Sequence, residues 1–396
     1  MACRRIDVVS KRLSLRGGGL ADIGLEKLGD ESNIVPAVVE KLGRNLHRQN
    51  DHPLHIIKSW IESYFTSNFR DASGTSLFKA FDELNPIVTV QQCFDDLLTP
   101  IDHVSRSRND TYYIDNKRLL RTHMTAHQTT LLREGHPAFL YSGDVFRRDS
   151  VDSCHYFCFH QMDGVRVFDW KDLGVQNHEE AVPKILDDLK NTLGGMVKAI
   201  FGDVHMRWVE STFPFTEPSL ELEIWFNEAW MEVLGCGVMR QGILQNAGLT
   251  SHSGWAFGMG LERLAMVLFD VPDIRLFWSR DARFLRQFQG VKERPGTRVK
   301  FQALSRFPVC YKDVAFWQPD DLHENDVHEV LRDVAGDLAE SLVLQSTFDH
   351  PKTGRRSRCY RVCYRSMERT LTNAEVDRLQ AAFCAALVDR LHVVLR

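Results

Sequence analysis

Apolar residues recur at helical spacing in HPLHIIKSWIESYF (52–65), where Leu54, Ile57, Trp60, Ile61 and Tyr64 fall on one side. That period predicts an amphipathic helix. A second helix is predicted over 182–201. Elsewhere the pattern shortens to alternation. Residues 138–168 read as two strands around a short polar turn, and 221–238 as two more around Asn227-Glu228. Antiparallel strands with helices on one side predict an α+β domain. The polar stretch GVKERPGTRVK (290–300), with Pro295-Gly296 inside it, reads as a linker. Beyond it the order is strand, helix (325–339), strand (342–348), strand (358–365), helix (373–391) and a short end strand. That is the split βαβ, ferredoxin-like order. The chain therefore divides into an extension (1–33), a large domain (34–289), the linker (290–300) and a compact domain (301–396).

A length of 396 residues suits two or three domains. The formal net charge of -4 gives no global basic field, so any RNA contact has to come from local patches. No apolar run reaches the roughly 18 residues that a membrane-spanning helix needs. The nine cysteines contain no CxxC pair. Cys154/Cys158 and Cys359/Cys363 fall inside strand-like runs, which reads as reduced thiols in a core and a reducing compartment. The first residues, MACRRIDVVSKRLSLRGGG, carry Arg4, Arg5, Lys11, Arg12 and Arg16 against one acid, Asp7. Without a long apolar stretch, this resembles an organellar transit peptide rather than a secretory signal.

Two arginines draw attention. Arg147 follows a strand in GDVFRRD (143–149), and Arg263 sits in the first turns of a helix in GWAFGMGLERLAM (254–266). Arginines on separate elements, each beside a turn, suit a polyphosphate better than a solvated surface. Guanidinium groups bind phosphate oxygens bidentately, and a helix N-terminus favours anions. Alternation counted from His155 puts Phe157, Phe159, Gln161 and Asp163 on one strand face. An imidazole, aromatic rings, an amide and an acid make a poor core, but they suit a nucleotide and an amino acid.

Those segments, with the aromatic strand ending HQMDG (160–164), resemble motifs 2 and 3 of class II aminoacyl-tRNA synthetases. The likeness is to the phenylalanyl-tRNA synthetase family, and it extends from about Ile34 to the C-terminus. It implies two-step charging of tRNA-Phe with L-phenylalanine and ATP, helped by Mg2+. By this resemblance Arg147 would hold the α-phosphate, Arg263 the pyrophosphate end, Phe159 the adenine, and His155 a phosphate or ribose. RTHMTAHQ (121–128) resembles the family's RxHTSxxQ. It implies His123 and Thr125 beside the substrate's carboxylate and amino group, with Gln128, Gln161 and Asp163 completing the polar end. Met124-Thr125 replaces the usual Thr-Ser, and Asp163 the usual Glu. FPFTEPS (213–219) resembles the aromatic clamp, supplying Phe213 and Phe215 for the benzyl group, with Ala256 at the pocket base. Gly235 and Gly237 would let backbone approach the ligand. Glu232 reads equally as a Mg2+ contact or as a strand-end salt bridge.

CFDDLLTPIDHVSRSRNDTYYID (93–115) continues the likeness, with Val104 where the family has proline. The tail, through SRFPVCYKDVAFW (305–317) and HPKTGRRSRCYRVCYR (350–365), resembles the ferredoxin-fold anticodon-binding domain. Arg355, Arg356, Arg358 and Arg361 would contact tRNA, with Tyr360 and Tyr364 nearby for stacking. Catalytic and anticodon-binding parts on one short chain are the arrangement of the monomeric mitochondrial type. With the basic leader, this implies the mitochondrial matrix; a plastid or dual address is the alternative.

Overall fold

The computed structural model describes residues 19–303 and 307–396; the leader-like residues 1–18 lie outside the described part. The larger domain is built on a seven-stranded sheet. Its strands are β1 (Lys79–Phe81), β4 (Ala138–Phe146), β5 (Cys158–Asp169), β6 (Met206–Ser211), β7 (Thr216–Phe226), β8 (Ala229–Met239) and β9 (His252–Gly260). A separate ribbon pairs β2 (Ile87–Thr89) with β3 (Arg118–Leu120). The large sheet runs β1-β4-β5-β9-β8-β7-β6, antiparallel throughout except for the β1–β4 edge pair.

Alternation along the strands splits this sheet into two faces. One packs against the helices Pro53–Asn68, His178–Phe201 and Leu261–Phe269, burying Leu222, Ile224, Leu234, Phe257 and Met259 with Ile57, Ile61, Leu189, Met196 and Leu264. Burial of this size is the main stabilising term of the domain. The other face carries the candidate site. The predicted helices over 52–65 and 182–201 are present and slightly longer than the periodicity indicated. In the β7–β8 hairpin, Asn227 and Glu228 both take positive φ (49° and 64°), as a tight two-residue hairpin turn requires.

Two features differ from the expected segmentation. Residues 19–33 are attached to the larger domain: Ile23 lies in its core, and Asn33 bonds to Arg108 and Thr111 carbonyls. The 290–300 segment also lies along that domain. Val291 is buried, the Trp60 indole donates to the Lys292 carbonyl at 2.8 Å, and Phe301 joins the same core. A polar composition therefore marked a connection that is tethered by its few apolar residues.

The smaller domain has the ferredoxin-like order. β10 (Cys310–Trp317), β11 (Ala339–Asp349), β12 (Arg356–Tyr364) and β13 (Val394–Leu395) pair as β11-β12-β10-β13. Helices Glu324–Ala335 and Asn373–Leu391 cover one face, over Val314, Phe316, Tyr360, Val362 and Tyr364. The other face is open to solvent, with Tyr311 and Phe348 exposed.

The Glu324–Ala335 helix docks the two domains together. Asn325 donates to the Asn109 and Arg148 carbonyls at 3.0 Å each, Arg148 pairs with Asp326 at 3.0 Å, and Tyr112 donates to Glu329 at 3.0 Å. Beside it, Lys41 pairs with Asp337 at 2.8 Å, and Arg275 donates to the Asp337 carbonyl at 2.9 Å. All eight described cysteines are free thiols. Cys93, Cys158 and Cys236 are buried as expected, whereas Cys154 is exposed.

Candidate active site

The strand ends that carry the chemistry meet at one end of the large sheet. β4 ends at Phe146 opposite Cys158 of β5, and Gln161 of β5 pairs with Gly260, the last residue of β9. Gly258 pairs with Gly235 of β8. This register brings Arg147, Glu232 and Arg263 to the same edge. A cavity of about 690 Å³ opens there, lined by His123, Thr125, Gln128, Arg147, Gln161, Asp163, Phe213, Phe215, Glu232 and Ala256. Ten residues named from the sequence thus share one pocket. Asn325 of the smaller domain also lines it, which no sequence signal indicated.

The polar end is held by a buried scaffold. Arg121 is fully buried and bonds Asp144 at 2.7 Å, the Asp144 carbonyl at 2.7 Å and His127 at 2.9 Å. This locks the turn that carries His123, Thr125 and Gln128. Gly143 makes room for it: a Cβ there would lie 2.3 Å from the Arg121 Nη2. Thr125 Oγ1 donates to Asp163 Oδ2 at 2.8 Å, so the two substituted positions bond to each other. Burial lifts the Asp163 carboxyl to about 7, against the opposing pull of the Thr125 hydroxyl and Arg147. Burial beside Arg147 pushes His123 down to about 3, so its ring is neutral at ordinary pH. The Gln161 amide oxygen accepts from the Met124 N–H at 3.3 Å. Three buried atoms here have no hydrogen-bond partner among the described residues: His123 Nδ1, Gln128 Oε1 and Asp163 Oδ1. Such atoms cost stability when left unsatisfied. Together they offer acceptors for an ammonium group and donors for a carboxylate.

The apolar end is a wall of two stacked rings. Phe213 and Phe215 lie parallel, 8° apart, with centroids 6.1 Å from each other. A ring between them would need about 9 Å, two contacts of at least ~4.5 Å in line. A benzyl group must therefore lie against the pair. Gly235 lines the cavity as expected, whereas Gly237 is not among its lining residues. A Cβ on Gly235 would meet the Phe213 ring at 2.8 Å, and one on Gly237 would meet the Pro218 carbonyl at 2.4 Å. These glycines admit parts of the protein. Gly258 does the same for Asp163, whose Oδ1 would stand 2.9 Å from a Cβ there.

At the anionic end, Arg147 Nε donates to the Thr122 carbonyl at 2.9 Å, and its guanidinium lies 5.2 Å from the Phe159 ring centroid. Arg263 is half exposed and pairs with Glu232 at 3.1 Å, realising the salt-bridge reading of Glu232. Its helix is pinned from beneath, where Glu262 accepts from the backbone N–H of His160 at 2.8 Å and bonds the His160 ring at 2.7 Å. His155 is not on the strand face. Asp152 accepts from the backbone N–H groups of Cys154 and His155 and holds the His155 ring at 2.8 Å. That side-chain turn delays pairing until Cys158, so the connection is a loop over 147–157. Phe157 turns into the core, 5.0 Å from Arg332 of the smaller domain.

On the smaller domain the four arginines do not form one patch. Arg356 pairs with Asp349 at 2.7 Å, Arg361 with Asp313 at 2.8 Å, and Arg358 donates to the Tyr360 hydroxyl. Tyr360 and Tyr364 are buried under the helices and cannot stack on a base. Arg355 instead stacks on Trp317 at 5.0 Å, with Arg396, Phe348 and His350 beside it. Alternation from Tyr311 to Trp317 was the available signal for that open face.

Residues 40–288 match the tRNA synthetases class II core domain (F), and residues 305–396 match the ferredoxin-fold anticodon binding domain. The chain is 49 % identical over 400 residues to the chloroplastic/mitochondrial phenylalanine–tRNA ligase of Arabidopsis thaliana, covering 100 % of this chain and 90 % of that one. It is 46 % identical to the mitochondrial phenylalanine–tRNA ligase of Mus musculus, covering 92 % and 86 %. For the mitochondrial enzyme of Saccharomyces cerevisiae the identity is 37 %, covering 92 % of each. With both domains matched in order and the pocket built as described, the chain belongs to the phenylalanine–tRNA ligase family of class II synthetases.

Proposed function

We infer that the protein is a phenylalanine–tRNA ligase that activates L-phenylalanine with ATP and charges tRNA-Phe in organellar translation. The observation that carries this is the single cavity. Unpaired polar atoms at one end suit a zwitterion, an aromatic wall suits its side chain, Arg147 lines the cavity, and Arg263 adjoins it through its pairing with the lining residue Glu232. The names of the relatives support the organelle: mitochondrial in several, chloroplastic/mitochondrial in the Arabidopsis protein.

In the first step, a phenylalanine carboxylate oxygen attacks the α-phosphorus of ATP and pyrophosphate leaves. Asp163 and Gln128 hold the ammonium group, Gln161 and neutral His123 orient the carboxylate, and Arg147 stabilises the charge building at phosphorus. Arg263 draws the pyrophosphate away. Phe159, capped by Arg147, supports the adenine. In the second step, the terminal ribose 2′-hydroxyl of the tRNA attacks the adenylate carbonyl and AMP leaves. Orientation and preorganised charge supply the rate, and no protein nucleophile is needed.

No cluster of three or more metal-ligating side chains occurs among the described residues. Glu232, half exposed, would give Mg2+ a single protein contact, and the ion would supply positive charge to the phosphates. The open face around Trp317, Phe348 and Arg355 is where the anticodon loop would stack. The chain acts as a monomer. Phenylalanine-dependent ATP–pyrophosphate exchange tests this reading directly. Its loss in Arg263→Ala, with phenylalanine binding retained, is expected; normal exchange in that variant would rule out the role given to Arg263.

A further inference from the structure

The tip of the β7–β8 hairpin carries two tryptophans that neither the fold nor the activation step uses. Trp225 and Trp230 pair across the strands with ring centroids 5.5 Å apart, edge to face. Both are exposed, at 43 % and 38 %. Exposing two indoles side by side forgoes the stabilisation that burying them would give, so the pair calls for an occupant.

Their position names the face. Leu222, Ile224 and Phe226 of β7 turn into the helical core, so Trp225 points to the opposite side with Glu223. Glu223 pairs with Glu232 on β8, and Glu232 lines the cavity and holds Arg263. Trp230 is two residues from Glu232 along the strand, about 7 Å at strand rise. The tryptophans thus continue the floor of the active site outward from its mouth. Arg207 of β6 lies 4.2 Å from the Trp230 ring centroid and is itself paired with Glu223. Arg207 therefore covers one face of the Trp230 indole, and Trp225 is the ring left to take a base.

We propose that Trp225 and Trp230 form a stacking platform for the single-stranded 3′ end of the tRNA. This rests on the reading of the chain as a phenylalanine–tRNA ligase and adds the path by which its second substrate reaches the adenylate. Every base has a π-face, so aromatic stacking holds a single strand whatever its sequence. The local charge favours stacking over phosphate capture. Arg207 is balanced by Glu223, Glu221 and Glu232 stand on the same two strands, and Glu228 sits in the turn that joins them. A platform without free cations contributes affinity that does not depend on counterion release.

The test compares Trp225→Ala and Trp225→Phe with the unaltered chain. Phenylalanine-dependent ATP–pyrophosphate exchange is measured without tRNA, and charging of tRNA-Phe at low and raised salt. The expected result for Trp225→Ala is unchanged exchange and a KM for tRNA raised roughly ten-fold, the loss of one stacked base. Its dependence of log KM on log salt should keep the unaltered slope. Trp225→Phe should recover most of the loss. A tRNA trimmed of its single-stranded 3′ nucleotides should bind the unaltered chain and Trp225→Ala equally. Charging by Trp225→Ala with an unaltered KM would overturn the proposal, as would a fall in exchange parallel to the fall in charging. Absence of exchange in the unaltered chain would instead overturn the underlying activity and this proposal with it.

Discussion

Burial lifts the Asp163 carboxyl to about 7, which makes the amino-acid site pH-sensitive near neutrality. The sign follows from the partner: an ammonium group needs the carboxylate, so protonation opposes binding. The KM for phenylalanine should be flat above pH 8 and rise about ten-fold by pH 6, one pH unit below the midpoint. In Asp163→Asn the KM should be raised throughout and the pH dependence largely lost. A steady-state profile of the two enzymes checks both. A wild-type KM independent of pH over that range would show that another group holds the ammonium. Arg263 belongs to the same scale. It is half exposed and held only by Glu232, so Glu232→Gln should weaken pyrophosphate exchange while leaving the fold intact.

The long helices and the ferredoxin-like strand order were legible in the chain because each repeats a period over many residues. The helix Asn373–Leu391 matches its expected limits, and the hairpin turn at Asn227-Glu228 lies where alternation breaks. The site residues were legible through motif likeness, and ten of them share the pocket. What failed did so for local reasons. Alternation extends the strand to His155 because periodicity cannot register a turn made by the Asp152 side chain. Tyr360 was read as a surface ring because strand parity does not say which face the helices cover. Motif likeness gives Gly237 to the ligand, although the Pro218 carbonyl and the Thr216 side chain fill its space. The same contacts predict stability. Gly143→Ala would drive a methyl group into the buried Arg121–Asp144 pair and should destabilise the larger domain by about 3 kcal/mol, the cost of disrupting a buried ion pair. Gly194→Ala, in the helix His178–Phe201 with open space around it, should instead stabilise by up to ~1 kcal/mol. Chemical denaturation of the two variants, followed by tryptophan fluorescence, separates the outcomes.

For the molecule as a whole, the relation of the two domains matters most. The Glu324–Ala335 helix sits on the loop that follows Arg147, and its Asn325 lines the catalytic cavity. A tRNA holds its anticodon far from its acceptor end, yet both must be engaged by one chain. The contacts between domains are mostly polar: Lys41–Asp337, Arg148–Asp326 and the bonds of Asn325. Polar interfaces of this kind separate more readily than apolar ones. Addition of tRNA-Phe should therefore change the protein's own scattering profile, measured with the RNA contrast-matched. An unchanged profile would mean that both ends are reached from the arrangement described here.

The reaction proposed for the cavity is the activation of phenylalanine. ATP–pyrophosphate exchange with each standard amino acid in turn, followed by charging of organellar tRNA-Phe, tests it most directly. Exchange with phenylalanine alone, and charging thereafter, is the expected result. A folded protein that exchanges with no amino acid, or with a different one, would contradict it.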